Sequence, residues 1–298
     1  NSYTPKYYGY SVRCVKGPGV LAACTDTLME QTVNITYGTS YSWRGRTLTD
    51  GGVYYDSLTR VNGGCDSIYK LVLLVNCGTV TDVDNNTYNT IQIGAQCWMR
   101  ENLKTTRYAN GVAIPMGATE TYSNIAYRFY PNKSSSNVST YGYLYNWRAV
   151  MGNSPSSSGN PSGVQGICPT GWHVPSSAEW MELTNYVTNH PNYTYSSTAT
   201  YIAKALASQS YWSNAGNNGN YYVGDLSYPN NTTGFEARPA GCLSGNYAYD
   251  FSSYAYFWST TQYNSSNSYY RGLYYRSETV VNSYTPKYYG YSVRCVKD

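Results

Sequence analysis

Apolar and polar positions alternate with a period of two along the first third of the chain. Two alternating stretches, 33–37 and 41–43, and a further strand-like stretch at 53–58 are followed by the most apolar strand, 68–75, which contains the continuous apolar run 71–75. Turn signals rich in Gly and Asn separate them, at 38–39, 44–45, 50–52 and 62–64. A period of two is that of a strand with one buried face. The pattern predicts a small all-β sandwich of five short strands within residues 17–79.

A helical period follows only later in the chain. Ser176 and Glu179 have the spacing of a capping box, and Trp180, Leu183 and Val187 then fall on one helical face. This spacing predicts a helix over 177–189, and a weaker pattern predicts a second one near 199–208. The remaining apolar stretches are short and strand-like.

Residues 1–16 and 282–297 are identical in sequence. Side chains that favour β-structure alternate along both copies, so each predicts a strand. Either the chain is one period of a tandem array, or each subunit has a spare strand for a neighbour's slot. The alternative is a recent duplication with no role in assembly. The residues expected to contact a neighbour or complete its core are Tyr7, Tyr8, Tyr10, Val12, Cys14, Tyr288, Tyr289, Tyr291, Val293 and Cys295.

Composition indicates a secreted protein with a weakly charged surface. Charged residues make up 12% of the 298-residue chain, about half the usual globular share of roughly 25%. Tyrosine contributes 38 residues, and the net charge of +4 comes from scattered Lys and Arg. Nucleic acid is therefore an unfavourable partner. No apolar run approaches the length that spans a bilayer, and the start at Asn1 without Met is expected of a processed product or a fragment.

The eight cysteines include no CxxC motif and no Cys/His cluster, so they favour disulfides formed in an oxidising compartment. Cys24 and Cys77 flank the small β module and are the favoured pair there, with Cys65 as a third candidate. Sequence alone does not fix the connectivity.

Several motifs resemble known bacterial modules. Segments 40–45, 52–57 and 64–67 resemble a spacer-like immunoglobulin-type repeat of surface proteins. From residue 80 onward the chain resembles the Fibrobacter major paralogous domain, often called FISUMP. The motifs that carry this second resemblance are Cys97–Lys104, Tyr141–Trp147, Cys168–Ser176, Glu179–Trp180, Phe257–Thr261 and Tyr291–Val296.

The resemblance implies a secreted domain akin to C-type lectin-like and formylglycine-generating-enzyme-like folds, with no generally assigned molecular function. We therefore expect an α+β fold: a C-type-lectin-like domain over 80–298 with one or two helices and a mostly antiparallel sheet. The small all-β sandwich precedes it at 17–79, and residues 1–16 form the duplicated strand. The chain departs from the family pattern in its tyrosine content, in Cys242 and in the duplication itself.

Two further disulfides follow from this arrangement. Cys295 is expected to pair with Cys168, which ties the terminal strand to the start of the helix. If residues 1–16 fill a neighbour's slot, Cys14 takes that neighbour's Cys168. Cys97 with Cys242 is the remaining, weaker pair.

Enzymatic chemistry finds little support, and no cofactor is expected. His173 lies in a predicted turn, and His190 lies at a helix end, where the dipole favours a cation. A nucleophilic pair of Cys168 and His173 requires a free thiol, whereas a disulfide is favoured. The catalytic cysteine pair of a formylglycine-generating enzyme is not recognisable, so the resemblance in fold does not imply that activity.

Asp82, Asp84 and Asn86 place oxygen atoms at alternate positions, as in a calcium loop, but the later Gly and Glu of an EF-hand are missing. A turn that closes a hairpin is therefore preferred to a metal site.

The sequence thus predicts a structural unit of an extracellular bacterial filament, joined head to tail to identical units through the Tyr-rich strand. The alternative is a carbohydrate-binding or adhesive cell-surface module, with glycans bound by Tyr- and Asn-rich loops.

Overall fold

The computed structural model describes residues 27–58, 67–117, 124–190, 193, 201–216, 221–225, 227 and 229–298. The first copy of the duplicated segment, with Cys14, lies outside these residues, as do Cys24 and Cys65. The candidates Tyr7, Tyr8, Tyr10 and Val12 also lie outside them.

The small β module contains five strands in its described residues. A three-stranded sheet has the order β1-β5-β4, in which β1 runs parallel to β5 and β4 antiparallel to it. The other two strands form a hairpin around Arg44 and Gly45, both of which have positive φ. The strands are β1 Thr27–Thr36, β2 Tyr41–Trp43, β3 Arg46–Leu48, β4 Gly52–Leu58 and β5 Ser67–Asn76.

Strand β5 is buried on both faces, which explains its continuous apolar run. Leu71 and Leu73 pack with Trp43 and Leu48 in the core of the small module. Leu74, on the opposite face, belongs to the largest core cluster of the rest of the chain. We expected a domain boundary near residue 79. The strands of the two units do lie on either side of it in sequence, but their apolar cores are in contact through β5.

The remainder of the chain is built from twelve described strands. Five form an antiparallel sheet in the order β11-β17-β8-β7-β6, and three form a second antiparallel sheet in the order β14-β15-β16. Two pairs, β9 with β10 and β12 with β13, complete the set. The strands are β6 Thr79–Thr81, β7 Thr87–Ile93, β8 Gln96–Met99, β9 Arg128–Phe129, β10 Leu144–Tyr145, β11 Trp172–His173, β12 Cys242–Ser244, β13 Tyr247–Tyr249, β14 Tyr254–Gln262, β15 Asn267–Tyr274, β16 Val280–Pro286 and β17 Val296–Lys297.

Four short α-helices accompany the sheets in the described residues: α1 Val138–Tyr141, α2 Trp147–Met151, α3 Ser177–Asn189 and α4 Ile202–Leu206. Two single 3₁₀ turns, Pro131–Lys133 and Ser135–Asn137, precede α1. Helix α3 begins with the predicted capping box, and α4 occupies the middle of the second predicted helix. Besides the one or two expected helices, the structure contains α1 and α2. These have four and five residues and are too short to give a periodic signal in the sequence.

Helix α3 packs its predicted apolar face into the main core. Trp180 lies against Trp98, with ring centroids 4.6 Å apart, and both contact Phe235. The fold is mostly antiparallel β-structure with a few short helices, consistent with an α+β or mainly β class. In the described part of the chain, no helix has both the length and the apolar character needed to cross a membrane.

Candidate assembly strand and its slot

The second copy of the duplicated segment, residues 282–297, runs through the centre of the larger unit. Its first five residues lie in β16, and its last two form β17. Between them, a turn at 287–289 is followed by residues 290–292, which join other segments by isolated bridges. The prediction of one regular strand with alternating faces was therefore wrong. Every residue from Tyr291 to Val296 is buried, because structure packs on both sides of the segment.

Main-chain hydrogen bonds hold this central part on both sides. Gly290 exchanges two with Leu243, at 2.8 and 3.1 Å, and Tyr291 exchanges two with Tyr145, at 3.0 and 2.8 Å. Ser292 N–H donates to the carbonyl of Tyr256 at 3.0 Å. The carbonyl groups of Val293 and Cys295 accept from Leu103 and Met99. Such bonds depend on backbone position, so any chain segment that follows this path can make them.

Tyr291 occupies an aromatic cage. Its ring is nearly parallel to that of Tyr256 at a centroid distance of 4.7 Å, and Trp258 lies at the same distance. Tyr270 and Tyr289 approach its ring edge-on, at 5.2 and 6.0 Å. Burial raises the pKa of the Tyr291 phenol, which therefore stays neutral.

The other candidate residues in this copy differ in burial. Val293 and Cys295 are fully buried in the same cluster as Tyr291. Tyr289 is partly buried against that cluster, and Tyr288 contacts it through the ring of Tyr289 at 5.2 Å. We call the space that residues 290–296 occupy the slot. Tyr288 and Tyr289 thus lie at its entrance, and Tyr291, Val293 and Cys295 lie inside it.

Arg294 is the polar anchor of the segment. Its guanidinium donates to the carbonyl oxygens of Met99, Phe235 and Glu236 at 2.9, 2.6 and 2.6 Å, and to Asn102 Oδ1 at 2.8 Å. The guanidinium also lies 4.7 Å from the ring centroid of Phe235. Burial lowers its pKa to about 9, so the group remains charged at neutral pH. A buried cation is tolerated here because four of its N–H groups donate to oxygen atoms and its plane lies near an aromatic ring.

Gly290 is required by close packing where the segment enters the slot. A Cβ there would lie 2.9 Å from the ring of Phe129 and 3.3 Å from the Cβ atoms of Leu144 and Leu243. Phe129, Leu144 and Leu243 are themselves buried, so the space for a side chain is closed.

The disulfides correspond in part to the expected pairing. Cys295 is bonded to Cys168, with Cα atoms 6.0 Å apart, as the sequence analysis proposed. Cys77 is bonded to Cys97, so neither Cys24–Cys77 nor Cys97–Cys242 is found. The reason is that β7 and β8 bring Cys97 beside the start of this unit. Cys242 is a free, buried thiol, and burial raises its pKa to about 12.

Strand β16 lies at the edge of its sheet, with only β15 as a neighbouring strand among the described residues. It begins two residues before the duplicated segment. The guanidinium of Arg271 on β15 donates to the side chain of Asn282, opposite it in register. Within the described ranges, one edge of the duplicated segment thus has no strand paired to it.

His173 and Glu179 form a buried structural group beside the slot. The imidazole bonds Glu179 through Nε2 at 2.5 Å and Asp298 through Nδ1 at 2.6 Å. Burial alone would lower the pKa of His173, but hydrogen bonds and the charges of both carboxylates raise it. Since the sulfur of Cys168 is in a disulfide, the nucleophilic pair considered with His173 does not exist.

His190 follows α3 directly, at the helix end that the sequence predicts. Burial lowers the pKa of its ring, which opposes the cationic form that a helix end favours. The residue lies at one end of an open groove along the exposed face of α3. The groove is lined by Asn160, Met181, Glu182, Asn185, Tyr186 and His190.

The oxygen atoms of the 82–86 segment are directed at protein donors. Asp82 Oδ1 accepts from the backbone N–H groups of Asp84 and Asn86, both at 2.9 Å, and Oδ2 accepts from Tyr88 at 2.6 Å. Asp84 accepts from the hydroxyl of Thr106 at 2.8 Å. The segment joins β6 to β7 as a turn. No group of three or more His, Cys, Asp or Glu side chains able to hold a metal occurs in the described ranges.

A family model described as the Fibrobacter succinogenes major domain matches residues 91–297. The chain belongs to this family. The matched range starts within β7 and ends at the last residue of the duplicated segment, so the central strand is part of the family domain. Searches of curated proteins and of solved structures gave no match.

The sequence identified the segment and three of its buried residues, Tyr291, Val293 and Cys295, but not Arg294 or Gly290. A weak signal for Arg294 exists, since it stands between Val293 and Cys295 in a run with no other charge. Gly290 had no signal, because its requirement comes from side chains distant in sequence.

Proposed function

We propose that the protein is a structural unit of an extracellular bacterial filament, joined head to tail through the duplicated segment. Membership of the Fibrobacter major domain family suggests a surface or structural protein. The proposal of head-to-tail joining rests on the structural role of residues 282–297. They supply the aromatic centre, the buried cation and a disulfide cysteine of the larger unit, and residues 1–16 have the same side chains in the same order.

Two connections between units are consistent with this proposal. In a tandem polypeptide, residues 1–16 are the central strand of the preceding unit, and 17–26 begin the link to the next. Between separate chains, residues 1–16 of one chain displace residues 282–297 of another and pair Cys14 with Cys168. In both, one surface meets a different surface of the next unit, and such an interface need not close into a ring.

Deletion variants test the proposal. We expect negative-stain microscopy of the purified protein to reveal fibres, and a variant lacking residues 1–16 to remain monomeric. A variant lacking 282–298 but keeping 1–16 has an empty slot, which the proposal expects residues 1–16 of another chain to fill. It should therefore give a ladder on a non-reducing gel, held by bonds between Cys14 and Cys168.

The matched control lacks both copies and should neither fold fully nor form a ladder. A Cys14→Ser exchange in the variant lacking 282–298 should abolish the ladder, while the fibres themselves persist. Fibres of unchanged length without residues 1–16, or no fibres from either parent or deletion, would refute strand-mediated assembly.

The groove along α3 favours a second candidate, carbohydrate binding by a lectin-like surface. Its lining combines amide groups with the apolar side chain of Met181, which is 54% exposed. Glycan-array binding by the monomeric 1–16 deletion, reduced by Asn185→Ala, would support this role. No catalytic role is proposed for His173, Cys168 or any other residue.

A further inference from the structure

Three tyrosines form an exposed cluster at one end of the β14-β15-β16 sheet. Tyr263 follows β14, Tyr269 lies on β15 and Tyr284 on β16. Tyr263 and Tyr284 are each 48% exposed. Their rings are nearly parallel, at 4°, and their centroids are 3.8 Å apart. Among the described aromatic pairs this is the closest, and both its members face solvent.

The two rings also lie within reach of one another's carbon atoms. At a centroid distance of 3.8 Å and an interplanar angle of 4°, carbons of one ring lie over carbons of the other. Tyr263 also raises the pKa of the Tyr284 phenol. Tyr269 stands perpendicular to both rings, at 5.7 and 6.3 Å, and supports them from below without sharing the stack.

We propose that Tyr263 and Tyr284 are a site of oxidative cross-linking, where a carbon–carbon bond joins the two rings as dityrosine. The oxidant is hydrogen peroxide acting through a haem peroxidase. Each phenol loses one electron and one proton, and the two phenoxyl radicals couple at their ortho carbons. The two ring hydrogens at the new bond then move to the oxygens, which restores both phenols. The two electrons and two protons reduce one peroxide molecule to two waters, so the protein loses two hydrogen atoms.

The bond would fix the edge strand β16 to the β14–β15 connection. An edge strand is held by hydrogen bonds on one side only, and it is the part of a sheet most easily pulled away. Tyr284 also lies in the duplicated segment, where its counterpart is Tyr3. If a neighbour's copy occupies the slot, the same reaction would join two chains, a consequence that rests on the proposed function.

Among the described residues, the other tyrosine pairs lack this combination of contact and exposure. Tyr256 and Tyr291 are stacked at 4.7 Å but are both buried, with Tyr256 bonded to Asp250. Tyr247 and Tyr249 on β13 are 67% and 48% exposed, but their centroids are 6.2 Å apart and their planes meet at 41°. This second pair is the matched control, because its members are accessible to an oxidant but are not stacked.

The test is treatment of the folded protein with a haem peroxidase and hydrogen peroxide, followed by trypsin and mass spectrometry. Cleavage after Arg276 and Lys287 releases Tyr284 as the only tyrosine of fragment 277–287. We expect this fragment to be linked to the fragment that ends at Arg271, with the loss of two hydrogen atoms. Tyr263→Phe and Tyr284→Phe should each abolish the linked product, while a Tyr247→Phe/Tyr249→Phe double variant should keep it.

Loss of the linked product in the 247/249 variant, or its persistence in Tyr263→Phe, would overturn the proposal. So would a yield no higher than in urea-unfolded protein. A cross-link between two chains can be told apart in the same experiment, because trypsin releases Tyr3 in a different fragment, 1–6. Linkage of 1–6 in fibres supports strand exchange. Linkage of 277–287 alone supports the cross-link and counts against strand exchange.

Discussion

The residue that most constrains the slot is Arg294, whose buried charge is stabilised by hydrogen bonds to carbonyl oxygens. Replacing it with Met leaves at least three carbonyl groups and Asn102 without their donor in a closed interior. Unsatisfied buried groups cost about 1–3 kcal/mol each, partly offset by the removal of a buried charge. We expect Arg294→Met to lower the free energy of unfolding by about 3 kcal/mol or more, measured by urea denaturation.

Arg276 provides the control for this substitution. It is exposed and lies 5.2 Å from the ring of Tyr275, so Arg276→Met should change stability by less than about 0.5 kcal/mol. Equal effects of the two substitutions on the free energy of unfolding would mean that the hydrogen bonds from Arg294 to the three carbonyl groups do not stabilise the fold.

At this scale, sequence patterns predict apolar contacts better than polar ones. Tyr291, Val293 and Cys295 were predicted because they lie in the duplicated segment. Arg294 was not among the predicted residues, because nothing in a strand pattern indicates that an arginine is buried. Its burial results from segments distant in sequence, which pack on both sides of it.

Among the elements, helix α3 was predicted most completely because its signals are local. The side chain of Ser176 accepts from the backbone N–H of Glu179 at 3.2 Å, and that of Glu179 accepts from Ser176 N–H at 2.9 Å. The contact of Glu179 with His173 was not predictable, since the ring comes from β11. Likewise the bond between Cys77 and Cys97 depends on how β7 and β8 pair, which cysteine spacing alone does not give.

The His173 contact gives α3 a pH dependence. Because the folded-state pKa of His173 is raised above its usual value of about 6.5, its contribution to stability is complete below that pH. The contribution is lost as the pH rises from there through the folded-state pKa. We expect urea midpoints to fall over this range in the parent and to be flatter in His173→Gln. A parent whose midpoint rises over the same range, with His173→Gln parallel to it, would contradict this assignment.

For the whole molecule, strand β5 links the two units that the sequence had separated. The motifs of each unit were visible, and the family match begins only at residue 91. A continuous apolar run does not reveal which side faces which core, so the sharing of β5 could not be predicted. Leu74 and Leu71 lie three residues apart on this one strand, one in each core cluster.

These two leucines allow the linkage to be measured. Leu74→Ala removes contacts with Ile91 and its neighbours in the larger core, and Leu71→Ala removes contacts with Trp43 in the smaller one. Each substitution should lower the free energy of unfolding by about 2–5 kcal/mol. The effect of Leu74→Ala should lie near the lower value, because Leu74 is slightly exposed. The quantity to measure is the unfolding of each unit by hydrogen exchange. We expect Leu74→Ala to weaken protection in β7 and α3, and Leu71→Ala to act mainly on β2–β4. If Leu74→Ala leaves β7 and α3 as protected as in the parent, the small module is an independent linker. Force along a filament would then reach the larger unit through the peptide chain alone.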